Sequence, residues 1–126
     1  MVLTFLKEQM DMLAIPYEFG EWTSDVVYPY SVGELTETET ENEDGMEQPE
    51  FILTVFHRSA ENSFAALEDI KNKIKKHFHP IHGLRVQQGH DVFVCFYGGA
   101  FYVPTGEAAL KRLQITLNIK HWKGEI

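Results

Sequence analysis

The chain is 126 residues long, 44% hydrophobic and 13% aromatic, with a single cysteine and a formal net charge of −8. That length suits one domain, 1–126, which buries roughly two-thirds of the surface its unfolded form exposes, and a lone Cys95 excludes an intramolecular disulfide framework. The apolar runs are far shorter than the roughly 20 residues of a spanning helix, the first ten residues carry neither a basic leader nor a cleavage pattern, and the acidic balance without an arginine cluster disfavours sequence-specific nucleic-acid binding. A membrane partner is therefore not expected, and a reducing cytosol is the default compartment.

Leu3, Leu6, Met10 and Leu13 recur at spacings of three, four and three and predict an amphipathic helix that ends before Pro16. Tyr17 to Trp22 predicts a brief strand. Val26 to Leu35 predicts another, with Pro29 inside it implying an edge strand or a bulge, because proline cannot donate to a ladder. Phe51 to Arg58 is apolar on both faces and reads as a central strand. The second helix is predicted from Phe64, Leu67, Ile70, Ile74 and Phe78 on one face, with Asn62 or Ser63 as cap and acids preceding lysines along the dipole. Val92 to Tyr97, a Gly98-Gly99 turn and Ala100 to Val103 predict a hairpin, followed by a turn at Pro104-Thr105-Gly106. Leu113, Ile115, Leu117 and Ile119 alternate with Gln114, Thr116, Asn118 and Lys120, the pattern of a strand with one buried face. This order predicts an α+β domain, a mainly antiparallel sheet with two helices packed on one face and a long acidic β-hairpin.

The acidic segment, residues 34 to 50, holds eight of the nineteen carboxylates and no Lys or Arg. It cannot fill a core, so Glu37, Glu39, Glu41, Glu43, Asp44 and Glu47 are expected on a projecting loop. Residues 1 to 57 carry a net −12 and residues 58 to 126 a net +4. Opposite halves suit head-to-tail contact between identical copies, with Lys71, Lys73, Lys75, Lys76, Lys111 and Arg112 as the basic side.

Chemistry has few candidates. His77, His79 and His82, with His90 nearby, have metal-ligand potential and would carry a small metal-dependent enzyme, but they straddle a helix end where histidine has an electrostatic reason to sit. Cys95 lies within the apolar run VFVCFY, where a thiol is an inert hydrophobe. Gly98-Gly99 lacks the lysine and hydroxyl of a phosphate loop, and Asp44-Gly45 lacks the spacing of a calcium loop. Trp22, Tyr28, Tyr30 and Trp122 would suit a single-strand binder only if cations shared their face. No enzyme activity, metal or cofactor is expected.

The stretches EWTSDVVYPYSVGELTE, EFILTVFHRS, KNKIKKHF and VPTGEAALKRLQITLNIKHW together resemble small morphogenesis proteins of tailed phages and prophages of Gram-positive bacteria. The resemblance spans nearly the whole chain and is greatest to the tail-terminator or tail-completion family, at Pro29-Tyr30 with Gly33-Glu34 and at Pro104-Thr105-Gly106 leading into Lys111-Arg112. The HFHPIHG turn and Gly98-Gly99 have no counterpart in that pattern. The resemblance implies a sheet with two helices and a long hairpin, and a homo-hexameric ring that caps the tail tube and joins it to the head. It implies as partners further copies of the chain, the tail tube protein and head–tail connector proteins, and as location the virion tail, assembled in the bacterial host cytoplasm. A head-completion or neck connector role is the alternative.

Overall fold

The computed structural model describes residues 2–23, 25–36, 46–59, 61 and 63–122. In chain order these form α1 (Val2–Met12), β1 (Tyr17–Phe19), β2 (Tyr30–Thr36), β3 (Met46–Glu47), β4 (Glu50–Arg58), α2 (Ala65–His77), β5 (Leu84–Gln88), β6 (Asp91–Tyr102) and β7 (Leu110–Trp122). The strands make one sheet in the order β1-β2-β4-β7-β6-β5, with the short β3 paired to β7 beyond the end of β4. Every neighbouring pair is antiparallel except β1 with β2. The domain is α+β.

Alternation along the strands sets one sheet face into the core. Leu113, Ile115, Leu117 and Ile119 of β7 are buried, and register places Val55, Leu53 and Phe51 of β4 opposite the first three and Cys95 of β6 opposite the last. The same cluster takes Phe5, Leu6 and Met10 from α1 and Leu67, Ile70, Ile74 and Phe78 from α2. Phe5 stacks on Phe93 with ring centroids 4.9 Å apart, which joins α1 directly to the β6 portion of that face. On the opposite face Tyr30, Ile52, Thr54, Phe56, Gln114 and Thr116 are only half-buried.

Several local expectations change. The buried side of α1 is Val2, Phe5, Leu6, Gln9 and Met10, while Leu3 and Leu13 are half-buried, because the spacing shared by Leu6 and Met10 serves two adjacent stripes equally. Pro29 lies before β2, in a cis peptide bond with Tyr28, and β2 is interior. The edge is instead β1, shorter than expected and parallel to β2. Phe64 is exposed and leaves the buried face of α2, whose first residue, Ala65, donates its N–H to Ser63 Oγ at 3.2 Å.

Gly98-Gly99 is not a hairpin turn. β6 runs unbroken from Asp91 to Tyr102 along the thirteen-residue β7, and Gly98 is the extra residue of a bulge between Tyr97↔Leu117 and Gly99↔Thr116. A Cβ at Gly98 would stand 2.6 Å from Asn118 Nδ2 and 3.1 Å from the Thr116 carbonyl, so close approach to β7 requires glycine there. The β6–β7 hairpin turns at residues 103–109, where Thr105 Oγ1 donates to the Leu110 carbonyl at 2.8 Å and Val103 N–H to the Arg112 carbonyl at 2.9 Å. β2 and β4 are paired from Tyr30↔Phe56 to Thr36↔Glu50, but Met46–Glu47 leaves that ladder for β7. The tip of the expected acidic hairpin, residues 37–45, lies outside the described residues.

Candidate functional site

Most carboxylates and cations of the sheet lie toward opposite ends, with Lys120, over Phe96, sharing the end that holds Glu50. At one end lie Glu47 and Glu50, the last carboxylates of the acidic segment, and Asp91 opens β6 beside them through the pairing of β3 and β6 with the last residues of β7. At the other end, where β4 finishes and β7 begins, lie Arg58, Lys111 and Arg112, and Arg58 pairs with Glu107. Register separates Arg112 from Asn118 by six strand residues, about 20 Å. Of the expected acidic residues only Glu47 is described; Glu37, Glu39, Glu41, Glu43 and Asp44 lie outside the described residues.

The basic candidates fall into two groups rather than one patch. On α2, Lys71 Nζ pairs with Glu68 Oε2 at 2.7 Å, Lys75 Nζ stands 5.8 Å from the Tyr97 ring centre, and Lys73 and Lys76 point into solvent. At the start of β7, Lys111 Nζ lies 4.6 Å over the Phe64 ring, and Arg112 donates from Nη2 to the Pro104 carbonyl at 2.9 Å. Arg112 is thus half-buried and structural, with its Nε unpartnered. Clefts of about 330 and 440 Å³ open on either side of it, the first against Phe64 and Tyr102, the second against Trp22, Tyr30 and Phe56.

Two ion-pair systems support the basic end, one with no sequence signal and one, Glu68 with Lys71, at the i,i+3 spacing of a helical pair. Arg58 grips Glu107 through Nη1 and Nη2 at 2.6 and 3.3 Å, which holds the Glu107 carboxyl below the usual carboxylate range. Lys71, and then the Tyr102 hydroxyl that donates to Glu68, hold the Glu68 carboxyl low in the same way. Burial and that carboxylate together push the Tyr102 phenol up. Tyr102 also meets Phe64 edge-on, with centroids 4.7 Å apart. A separate aromatic row, Trp22, Tyr30 and Phe56 with neighbouring centroids 5.0 Å apart, crosses the half-buried sheet face. Tyr28 joins it, under the Arg58 guanidinium.

The histidines do separate work. His77 Nε2 is 2.7 Å from Gln9 Oε1, bridging the helices, and burial lowers its pKa. His79 Nδ1 accepts the N–H groups of Ile81 and His82, each at 3.1 Å, and so closes the turn after α2. Among the described residues no group of three or more His, Cys, Asp and Glu is disposed to hold a metal ion. Cys95 is fully buried between Leu84 and Ile119 in register, and burial pushes its thiol up, which keeps it protonated and unreactive.

His121 escaped sequence reasoning. It is buried on the core face, stacked on Phe93 at 4.3 Å, with Nδ1 and Nε2 each 3.7 Å from a carboxylate, of Glu47 and Asp91 respectively. Neither carboxylate is near it in sequence; only the alternation of β7, which puts position 121 in the row of Leu117 and Ile119, hints that it is inward. It seats β3 against β7 at the base of the acidic segment. No known protein family matches this chain, and no curated protein matches it in sequence.

Proposed function

We propose that this chain is a structural subunit of virion assembly, which joins copies of itself into a hexameric ring that caps a phage tail tube and connects it to the head. The observation that carries the reading is the separation of charge across one rigid sheet: carboxylates gather where β3 and β4 leave the acidic segment, and cations gather at the start of β7 and along α2. Heterologous contacts, one patch meeting a different patch on the next copy, close a ring when the rotation permits, and such a charge arrangement favours them over like-to-like pairing. Exposed ion pairs contribute only about 0.2 to 1 kcal/mol each, so apolar surface such as Phe64 and Phe101 would carry most of the affinity, and charge the register. In this reading both helices cover one sheet face and the acidic hairpin projects from its end, as a contact arm or into the lumen. The overall resemblance to tail-terminator proteins points the same way.

Electron microscopy of the purified chain mixed with tail tubes and, separately, with portal complexes tests the role. Rings seated on tube ends support tail termination; rings seated only on portals would transfer the proposal to a head-completion connector. Binding to neither, with no ring in the field, would end the virion reading.

A further inference from the structure

The outer side of β1 and that of the second half of β6 border no strand among the described residues. Beside β1, the Pro16 carbonyl accepts the Ser31 N–H and Gly20 donates its N–H to the Gly33 carbonyl, each at 2.9 Å, so by alternation the N–H and C=O of Tyr17 and Phe19 point away from β2. On β6, β5 pairs only from Asp91 to Cys95 and the Phe78 carbonyl takes the Tyr97 N–H, which leaves residues 99–102. Val103 donates its N–H to the Arg112 carbonyl, so Phe101 and Gly99 also face β7, and the N–H and C=O of Ala100, with the N–H of Tyr102, face outward. Neither stretch carries the lysine or proline that blunts a free edge. Each instead shows an aromatic ring: Phe19, 46% exposed, on the core side of the sheet, and Phe101, 57% exposed, on the other. β5, at the border of the sheet beyond β6, exposes only Arg85 and Gln87.

We infer that these two edges pair with each other between copies: β1 of one chain adds to residues 99–102 of β6 in the next, and the sheet continues across the junction. The stretches match in length, three residues against four. Their rims differ in charge. Beside β1, a cleft of about 450 Å³ is lined by Leu3, Lys7, Glu18 and Glu21; Lys7 is already paired with Asp11 at 2.8 Å, so two carboxylates remain in formal surplus. Beside Tyr102, the cleft of about 330 Å³ holds Lys111 and Arg112; Glu107 there is gripped by Arg58, and Glu68 by Lys71, so two cations remain in formal surplus. A junction of like rims would set like charges face to face, whereas unlike rims attract. The chain cannot close this contact on itself, because β2, β4 and β7 lie between β1 and β6, about 19 Å across four strand spacings.

This inference rests on the self-association proposed above, and specifies its contact. Phe19→Pro and Ala100→Pro each remove one outward N–H without breaking a bond to β2 or β7, at positions where an edge strand tolerates proline. Each full-length variant is expected to associate about tenfold more weakly by sedimentation, the loss of one backbone hydrogen bond. Mixed, the two retain one intact junction, β1 of the Ala100→Pro chain with β6 of the Phe19→Pro chain, and are expected to form a two-chain species beyond what either forms alone. Glu21→Lys is expected to weaken association as well, and Lys111→Glu in the same chain to restore it. Association unchanged in both proline variants, or a mixture no more associated than its components, overturns the edge contact while leaving self-assembly standing. If a proline variant fails to fold, the charge pair decides: a Glu21→Lys chain that associates as the wild type does, or one that Lys111→Glu does not rescue, overturns the contact too. A wild-type chain that never associates removes both the contact and the assembly on which it rests.

Discussion

At Gly33 the fold depends on the absence of a side chain. The residue is paired with Leu53 on the core face of β2, and a Cβ there would stand 2.6 Å from the rings of both Phe51 and Tyr17, which meet edge-on beneath it. Phe51 and Tyr17 are both buried, so neither ring has room to yield. Gly33→Ala is therefore expected to destabilise the chain by about 1 to 3 kcal/mol through overpacking, seen as a lower urea midpoint at unchanged slope; an unchanged midpoint would show that the rings move aside freely. Gly98 obeys the same logic against β7, with one difference. Its nearest neighbour is the tip of the exposed Asn118, which can rotate, so only the Thr116 carbonyl resists.

Between elements, the far half of β6, which among the described residues is joined by β7 alone, makes a prediction of its own. Amide exchange along residues 99–102 is expected to alternate in the dissociated chain: Gly99 and Phe101, bonded to β7, exchange slowly, while Ala100 and Tyr102 exchange fast. Uniform protection in dilute solution would mean that the edge is already covered.

How much of this was legible before the structure depended on whether the signal was local. The alternation of Leu113, Ile115, Leu117 and Ile119 is a direct imprint of a half-buried strand, and the two-sided apolar run of β4 announces an interior one. Gly98-Gly99 carries the composition of a turn and of a bulge alike, and only the length of β7 decides between them. β5, LRVQQ, has too weak an alternation to stand out, and its place is set by β6. Charge alone names the basic residues, but whether each is solvated, as Lys73 and Lys76 are, or tied down, as Arg112 is, follows from the fold around it. His121 with Glu47 and Asp91 unites three strands and leaves no spacing to read.

For the whole molecule, the sheet sets two groups of unlike charge apart. Its strands fix the root of the acidic segment at one end and the Arg58, Lys111 and Arg112 group at the other, with the α2 lysines alongside β6. In the proposed assembly such a body joins its copies by successive head-to-tail contacts, whose strength falls as salt screens the charges over a Debye length of about 10 Å at 0.1 M. Sedimentation of the purified chain over a range of protein concentration and salt is the most direct measurement. Assembly through unlike patches gives at low salt a dominant species of six times the 14.5 kDa chain mass, with monomer growing as salt is raised; a lone 14.5 kDa species at every concentration and salt would contradict it.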